Sequence, residues 1–126
     1  MTPPTAVELG EYLELMAKAG KVIAYSDLSD HFKFPKKMPW KDNPLYPLLG
    51  DITKADKDAR RPLRISIVVK KVGEKKTIPS DGYFRTIAAY RRELIASTAS
   101  EKRTIHDREL KATLANYGYF GEPDRS

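Results

Sequence analysis

The chain predicts an α+β domain in which three helices precede a β-hairpin and one or two helices follow it. Three observations carry that expectation. Apolar residues recur at helical spacing in separate stretches before Ala55, and the spacing returns after Asp81. Between them, Leu63 to Val69 is the one strongly β-prone run, and Val72-Gly73-Glu74-Lys75-Lys76 follows it as a turn. Finally, 126 residues with 40% hydrophobic and 32% charged side chains suit a single core. The expected domain covers residues 1–121, with 122–126 as a frayed tail.

Thr5-Ala6-Val7-Glu8 has capping-box spacing, in which each side chain reaches the other's backbone N–H. Leu9, Tyr12, Leu13 and Met16 then fall on one helical face, and Gly20 offers a left-handed stop. Val22-Ile23 is a short apolar run. Ser26 reads as the N-cap of a second helix through Asp27, Leu28 and Phe32, which must end before Pro35 because the residue ahead of proline avoids helical geometry. Lys36 to Asp42 reads as a loop. Asn43-Pro44 pairs a cap with proline at the first helical position, and Leu45, Leu48, Leu49 and Ile52 extend a third helix to about Lys54. Ala55 to Pro62 is a charged connector. In Leu63-Arg64-Ile65-Ser66-Ile67-Val68-Val69, Ile65, Ile67 and Val69 alternate with Arg64, Ser66 and Val68, as on a half-buried strand. Thr77-Ile78 supplies the returning strand. Phe84, Ile87, Ala88, Leu94 and Ile95 mark a fourth helix, Ser97 to Ser100 a break, and Ile105, Leu110, Leu114 and Tyr117 a fifth helix ended by Gly118.

The charge is unevenly placed. The chain has 23 Lys and Arg against 17 Asp and Glu, a formal net charge of +6. Between Lys33 and Lys76 there are thirteen basic and five acidic residues, a local balance of +8, so the remainder is slightly acidic. A confined basic stretch is what an electrostatic footprint for phosphates requires, and the competing reading is a solvated lysine-rich face. No apolar run approaches the roughly 20 residues of a membrane-spanning helix. Met1-Thr2-Pro3-Pro4 lacks the pattern of a secretory signal, so the expectation is a cytoplasmic protein with no membrane partner. With no cysteine there is no thiolate nucleophile and no sulfur-ligated zinc.

Three helices and a hairpin are winged-helix order, in which a helix-turn-helix sets the third helix in the major groove and the hairpin touches the flanking backbone. Gly20-Lys21-Val22-Ile23-Ala24-Tyr25-Ser26-Asp27-Leu28 resembles the start of the winged-helix domain of alkylguanine-DNA alkyltransferases and alkyltransferase-like proteins. Leu48-Leu49-Gly50-Asp51-Ile52 lies where that family has its recognition helix, and Arg64 to Val69 where it has a Pro-Cys-His-Arg-Val-Val strand. The resemblance covers residues 20–84. It implies that Tyr25 approaches the DNA backbone near an extruded nucleotide. The departures are as informative: Ile65-Ser66-Ile67 stands where the family's cysteine and histidine would fall, so alkyl transfer is excluded. The family's base-flipping arginine has no clear counterpart, Tyr46 and Lys54 being the nearest polar residues. A half-buried helix-cap aromatic is the alternative reading of Tyr25.

Enzymatic readings find little support. His31 and His106 are too far apart in sequence for a metal pair at helical spacing; His31 reads as a surface residue, and His106-Asp107 as the opening of the last helix. An Asp58, Glu74, Lys76 nuclease set would place Glu74 in a turn rather than on a strand. Ser66 and Ser80 have no histidine at a suggestive spacing, and no Gly-rich phosphate loop is present. The expectation is a protein with no catalytic residue, metal or cofactor. Trp40, beside Lys36, Lys37 and Lys41, suits stacking on a base, or else folds back on the core near Tyr46. The aromatic tail Tyr117 to Gly121 reads as an anchor.

Two functions follow. In the first, the chain binds nucleic acid, duplex DNA of low sequence specificity. Lys36, Lys37, Lys41, Lys54, Arg60, Arg61 and Arg64 would then meet phosphates, with Lys70, Lys71, Lys75 and Lys76 lining the wing and Tyr25, Trp40 and Tyr46 as aromatic contacts. In the second, the same basic face of a small inhibitor or accessory factor, such as one made by a mobile element, meets an acidic protein or a nucleoprotein.

Overall fold

A computed structural model describes residues 5–34 and 43–124 of the chain. Its architecture is α+β. The element order is α1 (Ala6–Lys18), β1 (Ile23–Ala24), α2 (Tyr25–His31), α3 (Leu45–Asp58), a 3-10 turn (Arg64–Ile67), β2 (Val68–Val69), β3 (Lys71–Val72), β4 (Lys75–Lys76), α4 (Asp81–Arg91) and α5 (Ala99–Asn116).

The first helix forms as its sequence dictates. Thr5 Oγ1 accepts the Glu8 N–H at 3.2 Å and Glu8 reaches back to the Thr5 N–H. Gly20 takes a φ of 73°, the left-handed conformation that ends the helix. The second helix starts one residue before Ser26, because Tyr25 is already helical and Ala24 holds the cap position without a side-chain bond. Asn43 Oδ1 accepts the Leu45 N–H at 2.9 Å, and regular helix begins at Leu45.

Several expectations fail for physical reasons. The third helix runs on to Asp58 rather than stopping near Lys54, because buried Asp56 in its last turn is satisfied by Arg61 and Arg64 from the next segment. The β-prone run is a strand only at Val68 and Val69. Its partner β1 is two residues long, pairing in parallel as Ile23 with Val68 and Ala24 with Val69. Upstream, the Arg64 N–H bonds to Asp56 Oδ2 instead of a neighbouring strand, and the Ser66 N–H bonds to the Leu63 carbonyl. Ser66, expected on an exposed face, is therefore fully buried. The fourth helix ends at Arg91, where Arg92 turns left-handed at φ 57°, so Leu94 and Ile95 lie beyond it.

The fifth helix begins at Ala99, inside the expected break. Thr98 Oγ1 accepts the Glu101 N–H at 3.1 Å, and this Thr-x-x-Glu spacing was the signal that the apolar pattern missed. His106 and Asp107 are consequently mid-helix rather than at its start. Glu122 to Asp124, expected to fray, run back along residues 20–22: the Val22 N–H bonds to the Asp124 carbonyl and the Asp124 N–H to that of Gly20.

The hairpin is tighter than expected: its strands are Lys71–Val72 and Lys75–Lys76, inside the expected turn, rather than the Leu63–Val69 run and Thr77-Ile78. β3 and β4 pair antiparallel around Gly73-Glu74, with Gly73 at φ 62°, and the Lys70–Thr77 and Lys70–Ile78 bonds lengthen the ladder. Two cores hold these elements. The larger joins Leu9 and Leu13 of α1 to Leu49 and Ile52 of α3, to Val68, and to Leu110 and Leu114 of α5. The smaller packs Leu63, Tyr83, Phe84, Ile87 and Ala96 under α4. Each fully buried leucine contributes about 1.5–3 kcal/mol by leaving water.

Candidate nucleic-acid interface

Tyr25 opens α2 directly after β1, so its position is set by the parallel pair in the core. Its ring is half-buried, and its hydroxyl lies 3.3 Å from Ser80 Oγ and accepts the Ser80 N–H at 3.4 Å. This ties α2 to the residue preceding α4. Tyr46, in the first turn of α3, faces Tyr25 with ring centroids 6.0 Å apart and planes 29° apart. Both tyrosines line a cleft of about 230 Å³ between α3 and α4, whose walls include Leu49, Gly50, Thr53, Ser80, Gly82 and Thr86. Burial, followed by the nearness of Tyr25, raises the Tyr46 phenol above its ordinary range, so it remains a hydrogen-bond donor at neutral pH.

Tyr83, which lines the cleft, heads a buried polar chain. Tyr83 Oη and Ser66 Oγ are 2.7 Å apart, and His106 Nε2 donates to the Ser66 carbonyl at 2.8 Å. Burial pushes the Tyr83 phenol well above its ordinary value, and the Ser66 bond opposes this only in part. Ser66 stands where the resemblance has the histidine and Ile65 where it has the nucleophile; the Ser66 hydroxyl is held by Tyr83, and His106 addresses its carbonyl. That geometry positions Tyr83; it does not deprotonate the serine.

Of the cations on the neighbouring elements, Arg85 stands beside Gly82 in the cleft wall, whereas Lys54 and Lys71 pair with acids outside it. Lys54 lies one turn beyond Gly50 on α3, exposed and 3.5 Å from Asp58. Lys71, on the hairpin, is 3.7 Å from Asp27 of α2. Arg85 of α4 brings Nη2 to 3.8 Å from where a Cβ on Gly82 would stand. The Asp81 carboxyl beside them is held below its ordinary range, chiefly by the Lys102 hydrogen bond and charge, with Lys70 and Arg85 adding to the effect. Arg85 falls outside the basic segment of the sequence, and only its place in the first turns of α4 brings it here.

The remaining basic residues divide. Arg60 is exposed in a left-handed conformation at φ 56°, just past α3. Lys75 is exposed near the hairpin turn, while Lys76 donates to the Val22 carbonyl at 3.2 Å and locks the hairpin root to β1. Arg64, expected at the surface as a phosphate contact, is buried. Its Nε lies 3.0 Å from Asp56 and its Nη1 3.1 Å from Glu14. Arg61 pairs with the same Asp56 carboxylate. The alternating strand pattern had put Arg64 outward; the 3-10 turn puts it between α1 and α3. Lys36, Lys37, Trp40 and Lys41 lie outside the described residues. Among the described residues, no group of three or more metal-ligating side chains comes together, and no helix is long and apolar enough to cross a membrane.

No family model, curated protein or solved structure matches this chain.

Proposed function

We propose that the chain is a non-catalytic nucleic-acid-binding protein of winged-helix type, contacting duplex DNA through its phosphates with little sequence preference. The observation that carries this reading is the tyrosine-lined cleft with Arg85 beside Gly82 in its wall, together with the exposed Lys54 of α3 and Lys71 of the hairpin. Helix α3 would lie in a groove, and the β3–β4 hairpin would be the wing, with Lys70 and Lys75 toward the flanking backbone. The exposed face of α3 offers Tyr46, Asp51 and Lys54 and no arginine for bidentate guanine contact, so shape and phosphates dominate over base readout. Tyr25 and Tyr46 would meet sugars or an unpaired base.

Fluorescence anisotropy with duplex and single-stranded DNA at two salt concentrations tests the reading. Each neutralised phosphate contributes about 0.9 to the logarithmic salt slope on duplex. Lys54→Glu and Arg85→Glu should each weaken binding and flatten that slope. Absence of binding to either form at low salt would overturn the proposal.

A further inference from the structure

Tyr25 and Tyr46 belong to two depressions at once. Besides the cleft of about 230 Å³ between α3 and α4, both rings line a hollow of about 270 Å³ against α2, together with Ser26, Ser29, Asp30, Asn43 and Leu45. The stacked pair is therefore a wall that the two hollows share. Each volume lies below the roughly 300 Å³ at which sites for drug-sized ligands begin, so each suits one ring system rather than an extended molecule.

The two hollows differ in chemistry. Against α2, Asp30 supplies a carboxylate, and Asn43, whose Oδ1 already accepts the Leu45 N–H, has amide N–H groups left to donate. A carboxylate repels phosphate and accepts from the amino group of a base edge. In the α3–α4 cleft, two of the hydroxyls are used within the fold: Thr53 donates to the Leu49 carbonyl at 2.8 Å, and Ser80 Oγ lies against Tyr25 Oη. Gly50 adds no side chain there, and a Cβ on it would meet no described atom within 4 Å. This side offers room and ring faces, with Arg85 beside Gly82 to meet a phosphate. Rings to stack on, a polar hollow for a base edge and a cation for the backbone are what bases of an unpaired strand require. A closed duplex does not present them, because its bases are held in the stack.

We propose that the tyrosine pair receives two unpaired nucleotides of one strand, one base in each hollow, so that the protein prefers a duplex ending in a single-stranded overhang. The proposal rests on the nucleic-acid reading above and names the form of nucleic acid that the cleft takes. It is tested with the full chain by anisotropy on a blunt duplex and on duplexes with overhangs of up to about five nucleotides, with 2-aminopurine at the unpaired positions. Affinity should rise at least about tenfold over the blunt duplex and then level off as the overhang lengthens, and the 2-aminopurine emission should fall on stacking. Tyr46→Ala should remove the preference, so that overhang and blunt duplex bind alike, whereas Tyr46→Phe, which keeps the ring, should retain it. Gly50→Leu fills the α3–α4 cleft alone and should leave only part of the gain. Far-ultraviolet dichroism of each variant checks the fold. Equal wild-type affinity for blunt and overhanging duplexes, or a preference that survives in Tyr46→Ala, overturns this inference alone; absence of any DNA binding overturns the parent reading with it. Reversal of the 2-aminopurine signal by a free mononucleotide at equal concentration would assign the hollows to a free nucleotide and overturn the strand as its source.

Discussion

Replacing Asp56 by alanine should cost this protein a large part of its stability. The carboxylate is fully buried in the last turn of α3 and accepts from the Arg64 backbone N–H at 2.8 Å, from Arg64 Nε at 3.0 Å and from Arg61 Nε. Without it, the Arg64 guanidinium stays buried with only Glu14, whose side chain is 29% exposed, as a counter-charge. Removing one partner of a buried ion pair costs about 3–5 kcal/mol. The total stability of a domain this size is about 5–15 kcal/mol. The corresponding fall in Tm is on the order of 10–20 °C. Urea unfolding at neutral pH measures the loss. A double replacement, Asp56→Leu with Arg64→Met, removes both charges and should recover most of it, since apolar side chains of similar volume can replace a buried pair at little cost. A loss below about 1 kcal/mol for Asp56→Ala, or a double variant worse than the sum of its parts, would refute the reasoning. The same pair separates folding from binding: Arg64→Met should leave the DNA salt slope unchanged, because that guanidinium lies inside the fold.

Other consequences are as direct. Gly10→Ala and Gly50→Ala should have opposite signs in urea unfolding. A Cβ on Gly10 would come within 2.5 Å of Arg64 Nη1 and should destabilise by about 1–2 kcal/mol, whereas one on Gly50 meets nothing within 4 Å and gains up to about 1 kcal/mol of helix propensity; equal effects would dismiss the steric account. Arg60→Gly should stabilise by about 0.5–1 kcal/mol by relieving a left-handed non-glycine residue, yet flatten the salt slope of DNA binding; destabilisation would count against it. Burial raises the Tyr83 phenol, so above about pH 10 the unfolded chain loses a proton that the folded chain keeps, and stability falls as pH rises. Urea unfolding at pH 8 and pH 11 should show a shallower alkaline loss in Tyr83→Phe, by up to about 1.4 kcal/mol per pH unit. An unchanged slope would mean that Tyr83 does not control it.

What could be read from the sequence was local. The capping box of Thr5 and Glu8, the Asn43-Pro44 start and the turn at Gly73-Glu74 each involve neighbouring residues whose geometry leaves few alternatives, and α1, the start of α3 and the place of the turn follow those signals, although the hairpin strands do not. The failures were tertiary. Asp56 looked like part of a polar connector, because the sequence does not reveal that Arg61 and Arg64 fold back onto it. The run from Leu63 to Val69 had the composition of a strand, but a strand needs a partner along its length, and β1 offers only Ile23 and Ala24. The candidate site was legible in the same proportion. Tyr25 and Tyr46 line one cleft, while Arg85 beside it was hidden because its charge lies outside the basic stretch. His106 lost its expected helix-start position once Thr98 and Glu101 began α5 a full two turns earlier.

The bond between Glu14 and Arg64 has a meaning for how the chain acquires its shape. It joins residues fifty positions apart, and the β1–β2 pairing spans nearly as far. Closing such loops costs chain entropy before any contact repays it, and that slows the step relative to the hairpin, whose ends are a few residues apart. Leu9 and Leu13 of α1 bury only against later parts of the chain, on α3, the Val68 strand and α5, and a short isolated helix is marginal in water. Pulsed hydrogen exchange during refolding should accordingly show the hairpin amides protected before those of α1. During synthesis that helix must wait, apolar face open, for the middle of the chain to arrive.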